Sequence, residues 1–104
     1  MTTPSPQPTN PYVITISSSG VVSPHEITVP PGTRVLFVSN DARRHDVASD
    51  DHPDHLECPA INQVGVLLPG QSRETGNLNV VRTCGFHDHD NPDDNNLKGR
   101  IVVR

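Results

Sequence analysis

One thiol and two imidazoles stand close together near the end of the chain, in the segment Cys84-Gly85-Phe86-His87-Asp88-His89. Thiolate and imidazole ligands suit copper, zinc and iron, whereas calcium and magnesium prefer oxygen ligands. The segment follows an apolar run that ends at Val81, and it precedes a second apolar run at residues 101–103. We therefore predict a metal-ligand loop that is carried between two strands.

A second group of ligand-type residues, His52, His55 and Cys58, lies in a long polar stretch between residues 48 and 62. A loop of this length in a small domain is usually functional or tied down. His-x-x-His followed by Cys is also frequent by chance, so ligation and a plain solvated loop both stay open. Cys58 is interpreted either as a buried thiol or as the partner of Cys84 in a disulfide, which would consume the thiolate.

The charged residues are unevenly distributed along a chain of net charge −4. The eight basic residues are scattered apart from the pair Arg43-Arg44, so we predict no nucleic-acid partner. Most acidic residues share two segments with five of the six histidines: Asp46, Asp50, Asp51, Asp54, Glu57, Asp88, Asp90, Asp93 and Asp94. These segments are either solvated acidic loops or a negative rim that tunes a cationic site or steers a basic partner.

The composition of the 104 residues predicts one all-β domain. Aromatic residues are only 3% and Trp is absent, so Val, Ile and Leu must form the core. Eleven prolines and seven glycines interrupt the chain, and no segment keeps apolar residues at helical spacing over three turns. Strands are predicted near residues 12–16, 21–29 (bent at Pro24), 33–40 (central in a sheet), 64–68, 73–75, 78–84 and 99–103.

The first eleven residues differ in character from the remainder of the chain, because they are rich in Pro, Thr and Ser. We interpret residues 1–11 as a flexible tether and residues 12–104 as the domain. Such a tether is typical of a protein that has lost a leader or carries a lipid anchor. We therefore expect an extracytoplasmic location, periplasmic or secreted, with no membrane span.

The order of these features resembles the cupredoxins, the blue-copper family of plastocyanin and azurin. The resemblance covers roughly residues 12–104 and is carried by Val29-Pro30-Pro31-Gly32-Thr33, Asn40 with His45, Leu68-Pro69-Gly70-Gln71, Cys84-Gly85-Phe86-His87 and Lys98-Gly99-Arg100-Ile101-Val102-Val103. It implies an all-β, cupredoxin-like Greek-key β-sandwich of about seven to eight strands.

The resemblance also implies a type 1 copper site with two imidazoles and one thiolate. His45 and Cys84 would be ligands, together with His87, His89 or both. The family's axial Met is missing, because the chain has no Met after Met1, so another axial ligand is expected. His87 and His89 would share one face of an extended segment, an arrangement that resembles the red-copper variants of the family.

The function implied is electron transfer by a monomer that exchanges electrons with a redox partner protein and transforms no substrate. One alternative is a copper buffering or delivery protein that uses the histidines of both segments, His52, His55, His87 and His89. A disulfide-bonded scaffold, an enzyme with an open coordination position and a structural zinc site also stay open.

Overall fold

A computed structural model describes residues 10–52 and 54–104, so the predicted tether at residues 1–11 lies outside the described residues except for its last two positions. These ranges contain nine strands: β1 (Val13–Ile16), β2 (Val22–Ser23), β3 (Glu26–Val29), β4 (Leu36–Ser39), β5 (His45–Ser49), β6 (Gly65–Leu67), β7 (Ser72–Glu74), β8 (Arg82–Asp88) and β9 (Gly99–Val103). Two short 3₁₀ helices span Pro59–Gln63 and Asn95–Leu97. No helix within these ranges is long and apolar enough to cross a membrane.

The strands form two mixed sheets. One sheet has the order β2-β1-β4-β7 and the other has the order β3-β9-β8-β5-β6. β1 and β4 run parallel, as do β3 and β9, while the remaining neighbours are antiparallel. The central strand predicted at residues 33–40 is confirmed, because β4 lies between β1 and β7.

The core lies between the sheets and is made mainly of branched aliphatic side chains, as the composition predicts. Phe37 of β4 and Phe86 of β8 meet edge to face, with ring centroids 5.1 Å apart. Both rings are fully buried, together with Ile14, Ile61 and Ile101. Edge-to-face contacts add to the free energy gained by burying the rings, and this pair joins the two sheets at their centres.

The all-β prediction is confirmed, although nine strands are seen in the described residues where seven to eight are expected. Two places account for the difference: β5 (His45–Ser49) is not among the strands predicted from the sequence, and residues 21–29 are predicted as one bent strand. Pro24 has no backbone N–H to donate to a ladder, and the chain divides there into β2 and β3, which belong to different sheets.

The predicted ligand loop at residues 84–89 is corrected by the structure, because most of it belongs to β8. Side chains alternate between the two faces of a strand. Cys84, Phe86 and Asp88 therefore face the interior, whereas His87 lies on the outer face of the five-stranded sheet. Residues three apart on a strand cannot present their side chains to one metal ion, so Cys84 and His87 are separated by the sheet itself.

Candidate metal centre

Four imidazoles meet on the outer face of the five-stranded sheet, and we call them the histidine cluster: His52, His55, His87 and His89. One ring nitrogen from each lies within 4.8 Å of those of the others. His87 belongs to the end of β8 and His89 lies in the turn that follows it, and the two imidazoles converge as predicted. The other two come from the segment that follows β5, which we call the histidine loop (residues 50–52 and 54–58).

His87 forms the buried floor of the cluster, because its side chain is only 2% exposed. Its Nδ1 lies 2.7 Å from Oδ1 of Asp50. A carboxylate accepts hydrogen bonds, so Nδ1 carries the proton and Nε2 carries the lone pair. Nε2 is buried and has no hydrogen-bond partner among the described residues. A buried imidazole nitrogen without a partner is costly unless it binds something, which makes Nε2 of His87 a candidate ligand atom.

The hydrogen bonds of His55 and His89 fix which nitrogens carry protons in these two rings. Nδ1 of His55 donates to the backbone carbonyl of Ser49 at 2.8 Å, so Nε2 of His55 holds the lone pair. Nδ1 of His89 lies 3.0 Å from that Nε2 and must be the donor between them. Metal-binding histidines are commonly oriented in this way by a carbonyl or carboxylate on the second nitrogen.

His52 closes the cluster on its solvent side and has rings on three sides. Its ring centroid lies 5.3, 5.6 and 5.1 Å from those of His55, His87 and His89, respectively. Loss of water contacts lowers the pKa of His52, repulsion by the three neighbouring rings lowers it further, and only Asp93 opposes the shift. The neutral imidazole that a metal needs is therefore favoured at neutral pH.

The histidine loop rests directly on Gly85 of β8. The backbone N–H of Asp50 donates to the Gly85 carbonyl at 3.0 Å, and the Gly85 N–H donates to Oε1 of Glu57 at 2.8 Å. A Cβ atom at position 85 would collide with the Asp50 carboxylate. Glycine is therefore required for the close approach that places Asp50 beside His87.

Cys84, predicted as the thiolate ligand, is joined to Cys58 in a disulfide. The bond leaves no free cysteine among the described residues and no thiolate for a metal. The disulfide is buried, since Cys58 is 7% and Cys84 is 2% exposed. The structure therefore replaces the predicted thiolate with the disulfide that the sequence left open as an alternative.

His45, the other predicted ligand, lies in the interior and not in the cluster. Its Nδ1 is 2.6 Å from Oδ2 of Asp88, and its Nε2 is 2.8 Å from Oδ2 of Asp41. Both nitrogens of His45 are thus committed to buried carboxylates, and Arg43 reaches Asp41 from the surface at 3.0 Å. His45 is the first residue of β5 and faces inward with Val47, so the structure does not bring it into the histidine cluster, and its role as a metal ligand stays a prediction.

The donor set suits a restricted class of metals. Four imidazoles fit copper, zinc, nickel and iron, whereas magnesium and calcium require oxygen ligands. Three features fit a bound ion of this class: the convergence of the four rings, the bond to the Ser49 carbonyl that leaves Nε2 of His55 without a proton of its own, and the buried, unpaired Nε2 of His87. Sequence reasoning weighed His52 and His55 only as alternatives and gave Asp50 no role as a ligand partner.

Replacing Asp50 with Ala should weaken metal binding without unfolding the chain. The change removes the acceptor that fixes the ring of His87, and the loss of such a partner lowers metal affinity by about 10–100-fold. Isothermal titration with Cu(II) or Zn(II) measures the effect. Asp51→Ala is the matched control, because it removes the same charge one residue away. Equal effects in the two variants would show that Asp50 acts only through its charge.

Acidification should expose the contribution of Asp41 to folding stability. A hydrogen bond from His45 holds the pKa of Asp41 below its usual range; burial opposes this, and the Arg43 guanidinium adds to it. The stabilisation is therefore fully present above the unfolded-state pKa of about 3.9 and is lost as the pH falls through the lower, folded-state pKa. Urea unfolding as a function of pH should show the gap between wild type and Asp41→Asn shrinking below this pH. A gap that is constant down to pH 2 would contradict the assignment.

No protein-family model matches the chain, and no curated protein matches it in sequence. Solved structures do match it. A novel purple cupredoxin from Nitrosopumilus maritimus is 20% identical with a TM-score of 0.69, and the match covers 89% of this chain and 99% of that one. Oxidised plastocyanin from Dryopteris crassirhizoma is 18% identical with a TM-score of 0.67, covering 88% of this chain and 99% of that one. A mutant of amicyanin in its Cu(I) form is 17% identical with a TM-score of 0.65, and the match covers 89% of this chain and 81% of that one.

These likenesses span nearly the whole of the described chain, and they confirm the architecture that the sequence resemblance implies. At identities of 20% and below, they establish the fold and leave the site to be argued from this chain's own residues. The site that those residues form lies on the outside of a sheet and contains imidazoles alone.

Proposed function

We propose that this cupredoxin-fold domain binds one copper ion through the four imidazoles of the histidine cluster and holds it for exchange with other molecules. The observation that carries the proposal is the buried, unpaired Nε2 of His87 at the floor of a cluster whose four ring nitrogens lie within 4.8 Å. His55 would supply a second lone pair through Nε2, because its Nδ1 donates to the Ser49 carbonyl; the metal would displace the N–H of His89 that Nε2 accepts in this structure. His52 and His89 complete the set from the solvent side.

Copper is proposed over the other metals that imidazoles bind for two reasons. Copper(II) forms the strongest complexes among the divalent first-row metals with a given nitrogen donor set. The matched structures also include a protein described in its Cu(I) form, which supports copper as the metal associated with this fold. Bound here, the ion would supply a positive charge and one-electron chemistry, while the protein holds the four rings close together around it.

The ligand types of the site and its position on the surface favour holding and exchange of copper over type 1 electron transfer. The cluster lacks the thiolate that a type 1 site requires, because Cys84 is bonded to Cys58. His52 and His89 are exposed, so an incoming ligand can reach the ion from solvent. The surrounding surface is acidic, with Asp51 and Asp93 beside the cluster. The disulfide also fits the extracytoplasmic location expected from the sequence, since disulfides persist in oxidising compartments.

Titration of the disulfide-intact protein with Cu(II), followed by absorption and EPR, tests the proposal. We expect one ion per chain, a weak visible band, nitrogen hyperfine coupling and no free thiol in a thiol assay. An intense visible band that appears together with loss of the disulfide would instead establish the thiolate site predicted from the sequence. Failure to bind copper would leave a disulfide-bonded scaffold as the function.

Electron transfer is the second candidate, and the likeness to plastocyanin supports it. A copper ion held by imidazoles alone can still change oxidation state. Voltammetry of the loaded protein distinguishes the two candidates. A reversible wave with rapid self-exchange favours a carrier with a redox partner protein, whereas slow self-exchange together with fast transfer of copper to a chelator favours holding and exchange.

A further inference from the structure

We propose that the Cys58–Cys84 disulfide is a redox-controlled clasp, by which we mean a covalent cross-link that holds the histidine loop against β8. Reduction by a dithiol would therefore lower the metal affinity of the histidine cluster. This inference rests on the proposed function, since it concerns regulation of the same site. The bond joins two segments that are 26 residues apart in sequence. One segment is the histidine loop, which ends at Cys58 and carries two imidazoles, and the other is β8, which carries His87.

The disulfide lies where the loop is fastened to the strand. Next to it, both backbone groups of Gly85 are bonded to the loop, through Asp50 and Glu57. Asp50 in turn orients His87 at 2.7 Å. The position of the loop on Gly85 therefore determines the relative position of the rings on the two segments. Water can compete for the hydrogen bonds of Gly85, but it cannot replace the covalent bond between Cys58 and Cys84.

The rest of the loop is held by hydrogen bonds to its own flanks. His55 contacts the Ser49 carbonyl, the Asn62 side chain donates to the His55 carbonyl, and the Cys58 N–H donates to Oγ of Ser49. These bonds connect the loop to β5 and to the following 3₁₀ helix. They would keep the loop folded after reduction but would not hold it against β8.

A surface groove of about 220 Å³ gives access to the disulfide. Cys58 and Cys84 both form part of its wall, together with Glu57, Arg82 and the exposed side chain of Val80. The groove is separate from the solvent-exposed edge of the cluster at His52 and His89. A thiol that enters the groove meets the disulfide on a side away from the exposed edge of the cluster, and local movement of the wall must expose the sulfur atoms before they react.

The reaction is an ordinary thiol–disulfide exchange with a dithiol as the reductant. One thiolate of the reductant attacks the sulfur of Cys58, the more exposed of the two residues, and forms a mixed disulfide while Cys84 leaves as a thiolate and takes a proton. The second thiol of the reductant then breaks the mixed disulfide and releases Cys58. The reductant loses two electrons and becomes a disulfide, and the domain gains two electrons and two protons.

Metal affinity of the double variant Cys58→Ser/Cys84→Ser, measured against the disulfide-intact wild type, is the first test. We expect the dissociation constant for Zn(II) or Cu(II) to rise at least tenfold, with circular dichroism showing that the variant is folded at the temperature of the titration. Equal affinities within twofold would overturn the clasp. The variant contains no thiols, so sulfur ligation cannot disguise the result.

A reciprocal measurement on the wild type does not depend on the folding of any variant. If the disulfide raises metal affinity tenfold, the metal must stabilise the disulfide tenfold, which is about 30 mV for a two-electron couple. Redox-buffer equilibria with and without Zn(II), which is not reduced, should show the disulfide becoming harder to reduce when the metal is present. An unchanged midpoint, or a disulfide that becomes easier to reduce, would overturn the proposal.

The two proposals fail in distinguishable ways. If the disulfide-intact wild type binds no metal, the proposed function fails and the clasp has nothing to control. If the wild type binds one ion and the Cys58→Ser/Cys84→Ser variant binds it equally well, the proposed function stands and the clasp alone is wrong.

Discussion

Replacing His87 with Ala is expected to abolish tight copper binding. His87 supplies the buried floor of the cluster, and its Nε2 is the cluster atom that is buried and without a hydrogen-bond partner among the described residues. Its loss should lower the affinity by more than the roughly 100-fold that marks the loss of a group that merely orients a ligand. Competition titration of Cu(II) against a chelator of known affinity measures the change.

His25→Ala provides the matched control, because it removes an exposed imidazole that lies outside the histidine cluster. The control should bind copper as the wild type does. The assignment of the site would be wrong if His87→Ala retained an affinity within tenfold of that of the control. EPR of the copper-loaded variant would then show whether the three remaining imidazoles still provide the nitrogen donors.

Replacing His45 with Leu is expected to lower the free energy of unfolding by about 2–6 kcal/mol, because two buried carboxyl groups each lose a hydrogen-bond partner at a cost of about 1–3 kcal/mol. His45 lies between Asp41 and Asp88, and both carboxylates are buried. In this variant the Asp88 carboxylate loses its hydrogen bond to the imidazole. It keeps the hydrogen bonds that it accepts from the backbone N–H groups of Asp46 and Asp90. Urea denaturation at neutral pH measures the loss.

A second change separates loss of charge pairing from loss of packing. Asp88→Asn in the His45→Leu background removes the uncompensated charge and keeps an oxygen that can accept the two backbone N–H groups. We expect the double variant to recover part of the lost stability. Recovery would not occur if the imidazole contributed only volume, and a loss below about 1 kcal/mol in His45→Leu would also contradict the buried network.

The sequence allowed the all-β class and the central strand to be predicted, because both depend on local patterns. A continuous run of β-branched, aliphatic and aromatic residues at positions 35–38 identifies β4, and the absence of helical spacing excludes long helices. The end of β8 could not be predicted in this way. The polar run His87-Asp88-His89 is typical of a loop, yet the strand continues because the inward carboxylate of Asp88 finds His45 and the Asp46 N–H, which belong to another strand.

The candidate site was predicted only in part for the same reason. His87 and His89 follow from the two-residue repeat of an extended segment, whereas His52 and His55 depend on a loop whose position is set by Gly85 and the disulfide. Those contacts join residues far apart in sequence, and no local pattern reports them. The resemblance to cupredoxins predicted the fold correctly, and it favoured His45 and Cys84 as ligands at positions where this chain places a buried ion pair and a disulfide.

The burial of His87 beneath two exposed rings has a consequence for the speed of metal release. An ion held by all four imidazoles would have to leave the outer rings, His52 and His89, before it could leave the floor, because His87 is only 2% exposed. Departure would then be stepwise, and the bond to the buried ring of His87 would break last. A second molecule with its own copper ligands could replace His52 and His89 one at a time. Such a molecule would remove the ion faster than the ion dissociates after dilution.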